Sequence, residues 1–190
     1  MSKKIGVLAL QGDFDAHQRM LNKLNIVNVA VRKADQLDDL NGLIIPGGES
    51  TALIKLLLAF NLVEPIREFY KMGKGLFGTC AGSILLAREI ENSDQFRFGF
   101  IDITVARNGY GRQVDSFEDE IQVKEFGKPP IHAIFIRAPK ITGCGKNVSV
   151  LAEKENSILI AKEKNVMVST FHPELTEDTR LHNYFIDTCI

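Results

Sequence analysis

No two cysteines of this sequence stand at close spacing. Cys80, Cys144 and Cys189 are odd in number and far apart, which excludes a disulfide framework, a zinc ribbon and a thioredoxin-type pair. No apolar run is long enough to span a bilayer, since the longest, residues 52–60, is interrupted by Lys55. The apolar stretch at residues 5–10 is short for a signal peptide and no small-residue cleavage site follows it. The chain is therefore expected in the cytoplasm, with its thiols reduced. Neither sign of charge dominates: Lys plus Arg number 23, Asp plus Glu number 24, and both signs are spread evenly along the chain. A nucleic-acid partner would ask for a basic block or surplus, so none is expected. Internal repeats, linkers and low-complexity segments are also missing. What remains is an average globular composition, 45% hydrophobic and 25% charged over 190 residues. That suits one domain, residues 1–190, able to bury a core without staples.

The punctuation of the chain predicts its architecture. Short apolar or β-branched runs at residues 5–10, 26–31, 43–45 and 76–77 read as buried strands. Between them lie helical patterns. The first is capped by Asp13 and turns Ala16, Met20, Leu21 and Leu24 inward. The second is capped by Ser50 or Thr51 and runs to Phe60. Two more are expected over residues 64–72 and 84–90. This alternation implies a parallel sheet with helices on both faces. The second half adds turn-rich antiparallel strands or loops at the sheet edge over residues 98–125, a strand at 131–136, a turn at 143–147, and a hairpin or neighbouring strands at 157–161 and 166–171. A last helix is expected from about Thr176, with Leu181, Tyr184, Phe185 and Thr188 inward. The fold class is α/β: a single-domain, flavodoxin-like open sheet, mostly parallel, with added antiparallel strands.

Open parallel sheets bind ligands at the carboxyl ends of their strands. Three strand ends here carry unusual chemistry: Gln11-Gly12, Gly47-Gly48-Glu49-Ser50, and Gly78-Thr79-Cys80-Ala81-Gly82. The last has the form of a nucleophile elbow, with glycines removing side chains that would collide with the adjoining strand or helix. A helix start beneath the sulfur favours thiolate, and the Ala81 amide is placed to meet an oxyanion. A small buried cysteine is the plainer reading of Cys80, but the glycine bracket at a strand end argues against it. Cys144 and Cys189 lack such a setting. A thiol nucleophile needs a base and the base an orienting group. His172 follows a strand and precedes Pro173 and Glu174, so imidazole and carboxylate can share one side of the chain. Of the other histidines, His17 is expected near the inner stripe of the first helix but at a surface or partner-facing position, His132 at a strand start, and His182 facing solvent. Gln11-Gly12 is expected on a partner-facing rim. Asp115, Glu118, Asp119 and Glu120 read as a solvated face, and no metal site is expected.

The elbow together with His172-Pro173-Glu174 resembles the triad of class I glutamine amidotransferases. Further segments narrow the likeness: Leu10-Gln11-Gly12, Pro46-Gly47-Gly48-Glu49-Ser50-Thr51, Arg107 through Glu118, Phe135-Ile136-Arg137-Ala138-Pro139, and Phe171 through Asp178. They resemble the glutaminase subunits of pyridoxal 5′-phosphate synthases, from residue 5 to about residue 187. Ala52 and Ser83 depart from the usual residues without removing a catalytic group. The resemblance implies hydrolysis of L-glutamine to L-glutamate and ammonia with no cofactor. Cys80 would attack the side-chain amide, His172 would move the protons and Glu174 would hold the imidazole. Gly48, Glu49, Ser50, Arg107, Ile136 and Arg137 would bind the substrate, and Gly47, Gly48 and Ala81 would supply oxyanion donors. It also implies a partner, a TIM-barrel synthase subunit in a large heteromeric complex that makes pyridoxal 5′-phosphate and activates the glutaminase on docking. Competing readings are a glutaminase serving a different synthase, a DJ-1-like cysteine hydrolase, and a non-catalytic regulatory module.

Overall fold

The structure, a computed structural model, describes residues 3–107, 109 and 116–190. Its main sheet begins with β1 (Lys4–Leu8), β2 (Val27–Val31), β3 (Gly42–Ile45) and β4 (Gly75–Thr79). These are linked by α1 (Phe14–Lys23), α2 (Ser50–Ala59) and α3 (Val63–Lys71). After β4 come α4 (Ala81–Leu86), β5 (Ala87–Ile90) and β6 (Ile101–Ala106). β7 (Ser116–Ile121) and β8 (Ile131–Ile136) form a separate antiparallel pair. β9 (Lys140–Cys144), β10 (Ser149–Lys154), β11 (Ser157–Glu163) and β12 (Val166–Ser169) return to the main sheet before α5 (Arg180–Cys189) closes the chain. The sheet order is β2-β1-β3-β4-β12-β11-β9-β6-β5, with β10 beside β11. The stretch from β2 to β12 is parallel and the strands beyond it are mostly antiparallel, as expected from the sequence.

Both faces of the parallel strands are buried, so their apolar residues split by parity between two cores. Leu43, Leu76 and Val166 stand in register and face α2, α3 and α4. Their neighbours Ile44, Phe77 and Met167 face the opposite way, into a core shared with α1, α5 and the β7–β8 pair. This is the period-2 consequence of a pleated strand, and it explains why those runs read as continuously apolar. No helix among the described residues is long and apolar enough to cross a membrane.

Several expectations are corrected. α4 stops at Leu86, and residues 87–90 form β5 instead of more helix. The carbonyls of Leu85 and Leu86 accept from Phe98 and Phe100 at 2.7 and 2.9 Å, so a returning segment satisfies what another helical turn would have. The cap of α2 is Glu49, whose carboxylate accepts from the Thr51 and Ala52 amides, and neither Ser50 nor Thr51 serves. Gly143 and Cys144 belong to β9, paired with β6. α5 starts at Arg180, because residues 173–175 form a 3-10 turn and Asp178 accepts from the Arg180 amide. Its inner face is Leu181, His182, Phe185, Ile186 and Cys189; Tyr184 is half-buried and Thr188 exposed. Packing of His182 and Phe185 against Phe77 rotates the stripe. Of the family-like segment 107–118, Asn108 and residues 110–115 lie outside the described residues, Asp115 among them.

The glycine bracket has a measurable basis. A β-carbon on Gly82 would stand 2.0 Å from the Ile45 carbonyl oxygen, a backbone atom that cannot swing aside. Gly82→Ala is expected to destabilise the protein by about 1–3 kcal/mol despite the roughly 1 kcal/mol helix-propensity gain of alanine. Denaturant midpoints of the two proteins check this.

Candidate active site

Topology brings the site together. β1 has β2 on one side and β3 on the other, so the strand order reverses there and leaves a crevice at the carboxyl ends. β12 lies parallel to β4 with Ser169 opposite Thr79, and the Cys80 amide donates to the Ser169 carbonyl at 2.9 Å. The two strands therefore end level, Cys80 one residue beyond Thr79 and His172 three beyond Ser169. The β7–β8 pair fixes the second of these, since the His172 amide donates to Ile134 of β8 at 2.9 Å.

Cys80 sits at φ 48°, ψ −107°, a strained conformation for a residue with a β-carbon. Its sulfur lies 3.8 Å from the Ile136 carbonyl. Behind it, His172 Nδ1 is 2.8 Å from Glu174 Oε1. The sequence argument placed these two on extended backbone; they meet instead through the 3-10 turn that starts at Pro173. Burial works against charge on His172, but the neighbouring Cys80 sulfur and the hydrogen-bonded Glu174 carboxylate outweigh it and raise the imidazole's pKa well above its ordinary value. Burial also pushes the Glu174 carboxyl up, but His17 and His172 outweigh it and hold the carboxyl below the usual range. Sulfur, imidazole and carboxylate thus form one interacting row, 6%, 9% and 4% exposed.

A cavity of about 290 Å³ opens over the sulfur. Cys80, Ala81 and His172 line it, together with Gly48, Glu49, Ser50, Arg107, Ile136 and Arg137. All six residues expected to bind substrate are therefore brought together. Glu49 has a second duty there: its cap on α2 holds its carboxylate below the ordinary pKa, with both oxygens engaged by backbone amides. Arg107 Nη2 stands 3.8 Å from the same carboxylate. Ile136 is 38% exposed and Arg137 adopts φ 43° at the end of β8, so both project at the mouth.

The Gly47 amide, one of the expected oxyanion donors, donates to Thr79 Oγ1 at 3.2 Å in this structure. Gly47 matters for space: a β-carbon there would stand 2.4 Å from His172 Cε1 and 3.0 Å from Cys80 Cβ. Ala81 heads α4, where its amide has no acceptor within the helix, and Gly48 lines the cavity. Gln11 is half-buried, and its Oε1 accepts from the Glu49 amide at 3.0 Å, so it braces the loop.

Two histidines were misjudged. His17 and His182 are both fully buried, not surface or solvent-facing. His17 Nδ1 is 2.9 Å from His182 Nε2; His17 Nε2 is 3.2 Å from Thr79 Oγ1 and 3.4 Å from Glu174 Oε2. A signal was available: His17 falls on the stripe with Met20, Leu21 and Leu24, and His182 stands three and four residues before Phe185 and Ile186. His132 is exposed between Glu118 and Glu120, whereas Asp119, expected on the same solvated face, is half-buried on the other side of β7 and pairs with Lys154. Among the described residues no group of three or more His, Cys, Asp or Glu side chains could hold a metal ion.

Comparison with known proteins adds to this geometry. Residues 7–190 match the model of the SNO glutamine amidotransferase family. The chain is 53% identical over 184 residues to the pyridoxal 5′-phosphate synthase subunit PdxT of Carboxydothermus hydrogenoformans, across 97% of this chain and 96% of that protein. It is 48% identical over 188 residues to the subunit of the same name from Listeria monocytogenes, across 99% of this chain and 100% of that protein. A crystal structure of a glutamine amidotransferase superposes with a TM-score of 0.91 at 45% identity, across 96% of this chain and 97% of the other.

Proposed function

This chain belongs to the SNO glutamine amidotransferase family, and from that premise we propose that it is the glutaminase subunit of a pyridoxal 5′-phosphate synthase. Residues 1–190 act as one amidotransferase domain. It hydrolyses L-glutamine to L-glutamate and ammonia, and the ammonia serves vitamin B6 synthesis on a separate synthase subunit. The observation that carries this reading is the row Cys80, His172, Glu174 at the floor of a cavity of about 290 Å³.

The chemistry follows from the row. His172 takes the Cys80 thiol proton, and the sulfur attacks the side-chain amide carbon of glutamine. The resulting oxyanion meets the Ala81 and Gly48 amides, each such donor being worth roughly 3–4 kcal/mol in comparable acyl transfer. His172 returns the proton to the leaving nitrogen and ammonia departs, with a glutamyl thioester left on Cys80. Water, deprotonated by His172, attacks the thioester and releases glutamate, and the thiol is restored. Glu174 holds Nδ1–H throughout, so the working nitrogen is Nε2. At the other end of the substrate, Arg107 and Arg137 suit the α-carboxylate because a guanidinium can engage both oxygens. The carboxylate of Glu49 suits the α-ammonium.

Ammonia in neutral water is largely protonated and no longer nucleophilic, so its transfer needs direct contact with the consuming site. The partner is a TIM-barrel synthase subunit in a heteromeric complex, docked over the mouth where Ile136 and Leu175 are exposed. The test is glutamate release from glutamine by the purified chain, with and without the purified synthase subunit. Turnover in the mixture, above that of the chain alone, is expected. No glutamate in either condition would overturn the function, and equal rates in both would overturn activation by docking.

A further inference from the structure

The proposed triad uses one oxygen of Glu174. The other, Oε2, is buried without a hydrogen-bond partner at ordinary distance among the described residues, and His17 Nε2 stands 3.4 Å from it. Such an oxygen is costly to leave bare, so what stands behind it matters. Behind it is a chain of two fully buried imidazoles. His182 Nδ1 has no partner, His182 Nε2 meets His17 Nδ1, and His17 Nε2 faces both Thr79 Oγ1 and Glu174 Oε2.

Hydrogen-bond balance selects the protons. In one arrangement His182 carries its proton on Nε2 and donates it to His17 Nδ1. His17 then carries its own on Nε2 and shares it between Thr79 and the Glu174 carboxylate. Left over are a lone pair on His182 Nδ1 and the Thr79 hydroxyl hydrogen, because that oxygen accepts from both His17 and the Gly47 amide. In the reverse arrangement Thr79 donates to His17 Nε2, but the His182 Nδ1–H is buried with no acceptor among the described residues, and Glu174 Oε2 meets a lone pair instead of an N–H. Each leaves one donor over, and the first is favoured because it alone gives the buried carboxylate oxygen a donor. Both rings are neutral, because complete burial lowers their pKa values despite the nearby carboxylates: Glu174 and Asp13 for His17, Glu174 and Asp178 for His182. His172 beside His17 opposes charge there further.

We propose that His17, oriented by His182, is a positioning residue for the glutaminase reaction: its Nε2–H holds Glu174 Oε2 and Thr79 Oγ1 together. Thr79 Oγ1 in turn accepts the Gly47 amide, so one imidazole ties the carboxylate behind the base to the loop that borders the substrate. A shift of His17 would tilt Glu174, and through it His172, relative to the sulfur. This rests on the glutaminase reading above and extends it to the buried side of the sheet.

The experiment uses the chain in complex with the synthase subunit and compares His17→Gln with His17→Asn. The glutamine amide nitrogen reaches the place of Nε2, whereas the shorter asparagine reaches only that of Nδ1. His17→Asn is expected to lose about 10- to 100-fold in kcat with KM within about two-fold, the range for groups that orient a catalytic side chain from behind. His17→Gln is expected to recover most of that loss. Wild-type kcat in His17→Asn, or equal impairment of both variants, overturns the proposal. Should either variant not fold, the nitrogen-15 shifts of the histidine rings in the unmodified protein decide. Nε2–H tautomers for His17 and His182 support the arrangement, and an Nδ1–H tautomer at either overturns it. If the wild-type complex itself releases no glutamate, the functional reading has failed, and the ring tautomers still judge the arrangement separately.

Discussion

Cys80→Ala is expected to lower glutamate release by about 10,000- to 1,000,000-fold in kcat, the range for loss of an acyl-transfer nucleophile. The change removes one sulfur atom and leaves the elbow in place. The backbone of residue 80 is held by the Ser169 carbonyl, and the Ser83 amide and hydroxyl return to the Cys80 carbonyl. None of these bonds needs the thiol, so the thermal midpoint should barely move. The variant should still bind glutamine through the cavity walls. An independent readout exists in the base. Contact with Cys80 is one of the influences that raise the His172 pKa, so the imidazole should titrate lower in Cys80→Ala than in the wild type. Histidine ring resonances followed through a pH titration check this. Turnover within ten-fold of wild type would refute the covalent route, and an unmoved His172 titration would place sulfur and imidazole out of contact.

Glu174→Gln is the second large effect, about 1,000- to 10,000-fold in kcat with little change in KM. The carboxylate lies between two ring N–H groups, His172 Nδ1 at 2.8 Å and His17 Nε2 at 3.4 Å. A carboxylate accepts from both. An amide of the same shape cannot, because one of its ends is a donor. With its oxygen toward His172, its NH₂ group confronts His17. With its NH₂ toward His172, the imidazole is driven to the tautomer protonated on Nε2, which cannot take the thiol proton. Either way the row loses its order, and the imidazolium formed during turnover loses its counter-charge. Steady-state kinetics with the synthase subunit present measure the split. A Glu174→Gln enzyme within ten-fold of wild-type kcat would remove Glu174 from the mechanism.

These two effects concern residues that could be picked out before any coordinates. Cys80 stood out because a buried apolar run breaks into Gly-Thr-Cys-Ala-Gly, and His172 because it ends such a run beside a proline and a carboxylate. Both signals are local, readable from neighbours in the chain. The parallel strands were legible for the same reason: burial on both faces leaves continuous apolar runs. The boundary of α4 was not, since residues 84–90 suit a helix, and the segment that ends it returns from Phe98 and Phe100. The cap of α2 fell to Glu49 instead of a hydroxyl residue, its carboxylate accepting from the Thr51 and Ala52 amides.

The amino-acid sequence alone determined the fold class and singled out Cys80, His172 and the residues that line the cavity, because each is marked by short-range periodicity, by turn chemistry or by a family-like motif. Only the tertiary structure decided where polar side chains are buried. His17 and His182 sit on amphipathic helices, where a histidine on the inner stripe differs little from one at its edge. Their fate was set by what the sheet placed opposite them, the Glu174 carboxylate and the Thr79 hydroxyl, contributed by segments far away in the chain. Burial of a polar group is a property of two surfaces meeting, and the sequence of one helix describes only one of them.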